Sequence, residues 1–150
     1  MKFTFAPASV NDLPDLIQLL DTLFSIEQDF TPQPEKQRRG LERLLADGTR
    51  ACIMVARDES GHAIAMASAQ LVISTAEGAP SAWIEDVVVS AAYRGRGLGK
   101  QVLAALLDWA RCQGATRAQL LADLDNSPAL DFYNHLGWQG TRLGARRIAL

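Results

Sequence analysis

The sequence predicts one mixed α/β domain of the α+β type, in the order β-α-α-β-β-β-α-β-α-β. Three observations lead there. Leu13, Leu16, Ile17, Leu20, Leu23 and Phe24 recur at helical spacing. Three strand-length apolar runs follow between positions 51 and 89, separated by turn residues. A glycine- and arginine-rich segment then opens a long helical pattern. The chain has 150 residues, enough for one core that buries roughly 70% of the unfolded surface, and nothing in it suggests a second domain.

The elements follow in order. Met1-Lys2-Phe3-Thr4-Phe5 alternates polar and apolar residues before Pro7, which reads as a strand rather than a signal peptide. Ser9 and Asp12 have capping-box spacing, with Asp in place of the usual Glu. In the helix that follows, Asp12, Asp15, Gln18 and Asp21 are expected on the face away from the leucines. Positions 25 to 34 mix apolar, acidic and proline residues and read as a loop. A charged helix over about 35–46 follows, with Leu41, Leu44 and Leu45 as its seam and Gly48 after it.

Ala51 to Ala56 and His62 to Ile73 form an expected antiparallel hairpin around the turn Asp58-Glu59-Ser60-Gly61. Trp83 to Val89 is a third strand, rich in β-branched residues. The long helix carries Leu98, Val102, Ala105, Leu106 and Trp109 on one stripe and ends near Gly114. Ala118 to Ala122 is a short strand. Asn126-Ser127-Pro128 opens the last helix, with Ser127 as the expected cap, Pro128 at the first helical position and Gly137 at the end. The tail from 138 to 150 reads as one or two closing strands.

Composition excludes several classes. A net charge of −2 makes no electrostatic case for nucleic acid or for an anionic membrane surface. No apolar run approaches the roughly 20 residues that span a bilayer. With no export signal, the cytoplasm is the expected compartment. Cys52 and Cys112 form no paired motif and are expected to be reduced and buried. His62 and His135 cannot furnish a metal cage, so no metal is expected.

The most informative segment is Arg94-Gly95-Arg96-Gly97-Leu98-Gly99-Lys100, between a strand and a helix. First-turn amides of a helix lack intrahelical partners and carry partial positive charge. Glycines let the backbone approach an anion closely, so a phosphate or pyrophosphate is the natural guest. A Walker A loop is excluded, because Gln101 follows Gly99-Lys100 where Ser or Thr is required. A dinucleotide fingerprint fits poorly, since the spacing is G-x-G-x-G in mid-chain after a hairpin. The pattern [RQ]-x-x-G-x-[GA] is satisfied by Arg94, Gly97 and Gly99.

With these residues the chain resembles the GNAT superfamily of acetyl-CoA-dependent N-acetyltransferases. The resemblance is carried by Ile84 to Val89, by Ala92 to Lys100, and by Asn126 with Phe132-Tyr133-Asn134-His135-Leu136-Gly137-Trp138, where Trp138 replaces the family's usual Phe. It implies a GNAT-like, mostly antiparallel central sheet flanked by helices, and direct acetyl transfer from acetyl-CoA to a primary amine of a small molecule, peptide or protein. It implies that the backbone of Val87, Val88 and Val89 meets the pantetheine arm, and that Val87 N–H is the best placed to polarise the thioester. Arg94, Gly95, Arg96, Gly97, Leu98, Gly99 and Lys100 would surround the pyrophosphate, and Asn126 would contact the coenzyme from the other side.

Glu85 is the expected base, acting through water, with Asp86 as the alternate. Strand alternation would put Glu85 on the face of Val87 and opposite Asp86. Tyr133 matches the family's tyrosine and is the expected acid toward the departing thiolate, besides contacting the coenzyme. Glu27, Asp29 and Glu35 could draw a cationic acceptor. A homodimer through C-terminal strands would be in keeping with the family. The competing readings are a non-catalytic acyl-CoA-binding sensor and a nucleotide-phosphate-binding module.

Overall fold

Helix α1 (Leu13–Ile26) buries Leu13, Leu16 and Leu20 of the apolar stripe that the sequence spacing predicts, and also Leu19, which that stripe did not include; Ile17, Leu23 and Phe24 are only partly buried against the same cluster. Each such side chain contributes about 1.5–3 kcal/mol when fully withdrawn from water. The helix is preceded by strand β1 (Thr4–Pro7) and a 3-10 turn over Val10–Asp12. Ser9 N donates to the Asp12 carboxylate at 2.8 Å, in the capping box that the Ser9 and Asp12 spacing predicts. Contrary to the helical-face reading, Asp12 is buried, at 4% exposure. The 3-10 turn breaks the α-helical period there, and Arg57 meets the carboxylate with two guanidinium nitrogens. These observations come from a computed structural model that describes residues 1–27 and 29–150. Position 28, within the loop expected over 25–34, lies outside the described residues.

Helix α2 (Pro34–Leu45) starts on its proline, whose missing N–H costs nothing at that position. It sets Leu41 into the cluster built by α1. Strands β2 (Ala51–Arg57), β3 (Ala63–Ser74) and β4 (Ala79–Val89) pair antiparallel in succession, and β1 pairs antiparallel with β2. Strand β5 (Arg117–Leu120) completes a five-stranded sheet in the order β1-β2-β3-β4-β5.

Strand β2 is buried almost throughout because both of its faces are covered. Ile53 and Val55 join the α1 cluster together with Met66 and Val88. The intervening Cys52, Met54 and Ala56 face the other way. Helix α3 (Leu98–Cys112) packs on β2, β3 and β4 and buries Leu98, Val102, Leu103, Leu106 and Ala110. It closes at Gly114, whose φ of 92° lets Gly114 N and Ala115 N bond back to Arg111 O and Ala110 O.

By contact the chain falls into two compact units, Met1–Gln119 and Leu120–Leu150. The second contains α4 (Ser127–His135). Its N-cap is Asn126, not Ser127: Asn126 Oδ1 accepts from Ala129 N at 3.2 Å, and Ser127 already lies in the first turn. At the far end Trp138 N bonds Tyr133 O and Gly137 N bonds Asn134 O. The Tyr133 and Trp138 rings then meet edge to face at 5.8 Å. Residues 138–150 carry no strand, so the closing strands read from the tail are not formed within this chain. Cys52 is buried as expected, but Cys112 is exposed, because the last turn of α3 reaches solvent; both thiols are free.

Candidate active site

Strand β4 is interrupted where the sequence places its acids. Met66 faces Val88 and Ser68 faces Glu85, so Asp86 and Val87 together stand opposite Ala67. This is a β-bulge, with one extra residue on β4. Asp86 takes up the strain with φ of 56°, the one non-glycine residue with positive φ among those described. Aspartate tolerates this region better than most residues. The bulge overturns the alternation argument that put Glu85 and Val87 on one face: an extra residue between ladder pairs resets which way the side chains point.

The two acids have different surroundings. Glu85 is exposed and accepts Trp83 Nε1 at 2.8 Å. Asp86 is half-buried. Burial pushes its carboxyl up to about 7, helped by the negative charges of Glu85 and Glu27 and opposed by a hydrogen bond with Ser68. Ser68, at 2% exposure, donates its hydroxyl to Glu85 O at 3.0 Å. The acid between sequence neighbours is thus the one poised near neutrality, the condition for general acid–base work.

Beyond Val89 the chain makes a 3-10 turn over Ala91–Tyr93 and reaches the glycine segment. Gly95 (φ 79°) and Gly97 (φ 75°) are both left-handed, and Gly97 is the N-cap of α3. The amides of Leu98, Gly99 and Lys100 therefore begin the helix with no earlier carbonyl in register to accept them. A β-carbon on Gly95 would meet no atom within 4 Å, and one on Gly97 would meet only Gln101 Nε2 at 3.8 Å. These glycines are needed for their backbone angles and for open space before the amides, not for packing inside the fold. Such a cradle fits a phosphate.

The arginines are partly engaged. Arg94 Nε donates to Val89 O at 3.2 Å, tying the segment to the end of β4. The Arg96 guanidinium lies over the Tyr93 ring at 5.5 Å. Lys100 is exposed. Val88 is buried, while Val87 and Val89 are half-buried. The fold thus brings Glu85 to Val89 and Arg94 to Lys100 onto one strand–turn–helix unit. In the second unit Asn126 and Tyr133 sit on α4, both half-buried, with the Asn126 oxygen occupied as a cap.

Sequence reasoning missed the bulge, the Ser68 contact and the link between Tyr93 and Asp58. The turn residues at 58–61 signalled only a turn; which hydroxyl Asp58 would accept is set by folding.

The fold has known counterparts. The glucosamine-6-phosphate N-acetyltransferase from Arabidopsis thaliana shares the fold at a TM-score of 0.78 and 24% identity, with 99% of each chain covered. An aminoglycoside acetyltransferase from an uncultured soil metagenomic sample, solved with sisomicin, gives 0.79 and 22%, covering 99% of this chain and 96% of that one. AAC(6')-Iy, solved with the bisubstrate analog CoA-S-monomethyl-acetylneamine, gives 0.81 and 19% with full coverage of both, 100% and 100%. No curated protein matches the chain by sequence. The model of the acetyltransferase (GNAT) family matches residues 14–138, across the glycine cradle, the bulged strand and α4. The chain therefore belongs to the GNAT acetyltransferase family and is by class an acyltransferase.

Proposed function

We propose that this chain transfers the acetyl group of acetyl-CoA directly to a primary amine, with Asp86 as the base and Tyr133 as the acid. The observation that carries the reading is the half-buried Asp86 carboxyl on the bulged strand that leads straight into the left-handed glycine cradle. An alkyl ammonium has a pKa of roughly 10.4 and must lose a proton before it can attack. Asp86 takes that proton, directly or through one water. The amine nitrogen then forms its bond to the thioester carbon, the carbon–sulfur bond breaks, the departing thiolate takes a proton from the Tyr133 phenol, and the second proton shed by the acylated nitrogen restores that phenol through water. Val87 N–H, on the bulge, stabilises the oxyanion. The backbone of Val88 and Val89 lies along the pantetheine arm, and the amides of 96–100 hold the diphosphate with Arg94, Arg96 and Lys100 around it. Asn126 keeps its amide nitrogen for the coenzyme. Both compact units belong to one acetyltransferase domain in this reading, as the span of the family match suggests.

The acceptor is a cationic amine. Glu85 and Glu27 both act on Asp86 through their charge, and the same field attracts an ammonium group. Relatives of this fold were solved with sisomicin and with an acetylneamine analog, which makes amino sugars the first class to try, ahead of polyamines and lysine side chains. The cytoplasm is the proposed compartment, and a homodimer the proposed assembly.

The test is thiol release from acetyl-CoA with a panel of cationic, neutral and anionic amines. Release that favours the cationic set and rises with pH through about 7 is the expected outcome, following the Asp86 value. Tight coenzyme binding with no release from any amine would turn the protein into an acyl-CoA sensor.

A further inference from the structure

Tyr93 and Asp58 lie outside every role assigned above, yet they meet at the cradle. Asp58 sits in the turn between β2 and β3, and that turn holds its carboxylate still. Oδ1 accepts Ser60 N at 2.9 Å and His62 N at 3.0 Å, while Asp58 N donates to His62 O at 3.0 Å. The other oxygen, Oδ2, accepts the Tyr93 hydroxyl at 3.2 Å. The Tyr93 ring is held edge to face against Phe3, with centroids 6.1 Å apart and planes at 82°. Its other contact is the Arg96 guanidinium at 5.5 Å from the centroid. Arg96 is the residue between the two left-handed glycines.

That position matters because glycine is the residue with the most backbone freedom to lose on ordering. A segment with glycines on both sides of one residue would sample many arrangements of its peptide planes. Fixing the side chain of the middle residue restricts them all. The turn at Asp58, tied by its own hydrogen bonds, accepts the Tyr93 hydroxyl; the Tyr93 ring lies under the Arg96 guanidinium, which also donates to Met1 Sδ at 3.3 Å; and Arg96 stands between the two left-handed glycines. We propose that Tyr93, anchored by Asp58, is a positioning residue that preorganises the Gly95–Gly97 cradle for the diphosphate of the coenzyme, a role that rests on the coenzyme A reading of that cradle. Preorganisation of this kind raises affinity by removing ordering cost rather than by adding a contact.

The test compares wild type with Tyr93→Leu and Tyr93→Phe, using CoA in calorimetry and two donors in turnover: acetyl-CoA and S-acetyl-pantetheine, which lacks the diphosphate. Tyr93→Leu should weaken CoA binding and raise the KM for acetyl-CoA about tenfold, the combined scale of one stacked cation and one hydrogen bond. It should leave kcat within about twofold and kcat/KM for S-acetyl-pantetheine unchanged. Tyr93→Phe keeps the ring and should lose about threefold in CoA affinity, so the idea stays testable if the leucine variant does not fold. In an Arg96→Ala background Tyr93→Leu should have little further effect, since the tyrosine acts through the arginine. CoA affinity equal to wild type in both variants would overturn the role, as would an equal loss with both donors. Wild-type protein that fails to bind CoA would overturn the coenzyme reading itself, and this role with it.

Discussion

Asp12 and Asp86 are the same residue type withdrawn from water in two parts of one unit, and they come out opposite. Asp12 is 4% exposed and is met by two nitrogens of Arg57. The arginine's hydrogen bond holds the Asp12 carboxyl below the usual carboxylate range in spite of burial. Asp86 has no ion-pair partner among the described residues; its charged neighbours are Glu85 and Glu27, and burial pushes it up to about 7. Burial raises both carboxyls, and the partner decides the result. With a cation the aspartate stays charged at neutral pH and ties the start of α1 to β2. Without one its carboxyl is pushed up to about 7, the condition that the proposed base requires.

The sharpest way to break this contrast is to neutralise each acid. Asp86→Asn should lower kcat about a thousandfold, within the range of a lost general base, while the folded protein stays at least as stable in urea. A rate within fivefold of wild type would remove Asp86 from the mechanism. Asp12→Ala should do the reverse. It leaves Arg57 without its partner and should cost about 3 kcal/mol of unfolding free energy, the scale for breaking a buried pair from one side, while the remaining folded enzyme turns over normally.

The pH dependence of stability separates them next. Asp86 has a folded pKa above its ordinary value of 3.8. Its contribution is therefore fully present below about pH 4 and is lost as pH rises through about 7. Asp12 has a folded pKa below its ordinary value, so its contribution is present above about pH 4 and is lost as pH falls through the depressed value. Urea midpoints measured from pH 3 to 8 should show Asp86→Asn flattening the neutral side and Asp12→Asn flattening the acid side. The smallest effects belong to the neighbours of Asp86. Glu85→Gln should move the acid limb of the rate profile downward, and Ser68→Ala should move it upward, since one removes a like charge and the other a stabilising hydrogen bond. Equal shifts in the same direction would contradict this account of the site.

How much of this was legible depended on how local each feature is. The α1 stripe follows from residues three and four apart, and the helix's buried leucines all lie within eight positions. Gly95 and Gly97 are left-handed at the head of α3, and the Arg94, Gly97 and Gly99 pattern, together with the strand over 84–89 and the segment over 126–138, pointed to the family from the sequence. The Asp12–Arg57 pair joins residues 45 positions apart, and no periodicity points to it. The bulge at Asp86 is a property of register between β3 and β4: the count of residues on one strand has meaning only against the other. For that reason strand alternation, sound up to Glu85, failed one residue later. Ser127 was a reasonable cap by type, but Asn126 reaches Ala129 N, and only backbone angles choose between adjacent candidates.

The sequence by itself determined that a strand would end in a glycine cradle opening a helix, because backbone freedom and unpaired first-turn amides are properties of the chain within a few residues. It also determined that acids would stand on that strand. Only the tertiary structure decided which acid keeps a proton near neutrality. That choice depends on how much water each carboxyl loses and on which charge faces it, and both are set by strands and helices far apart in the chain.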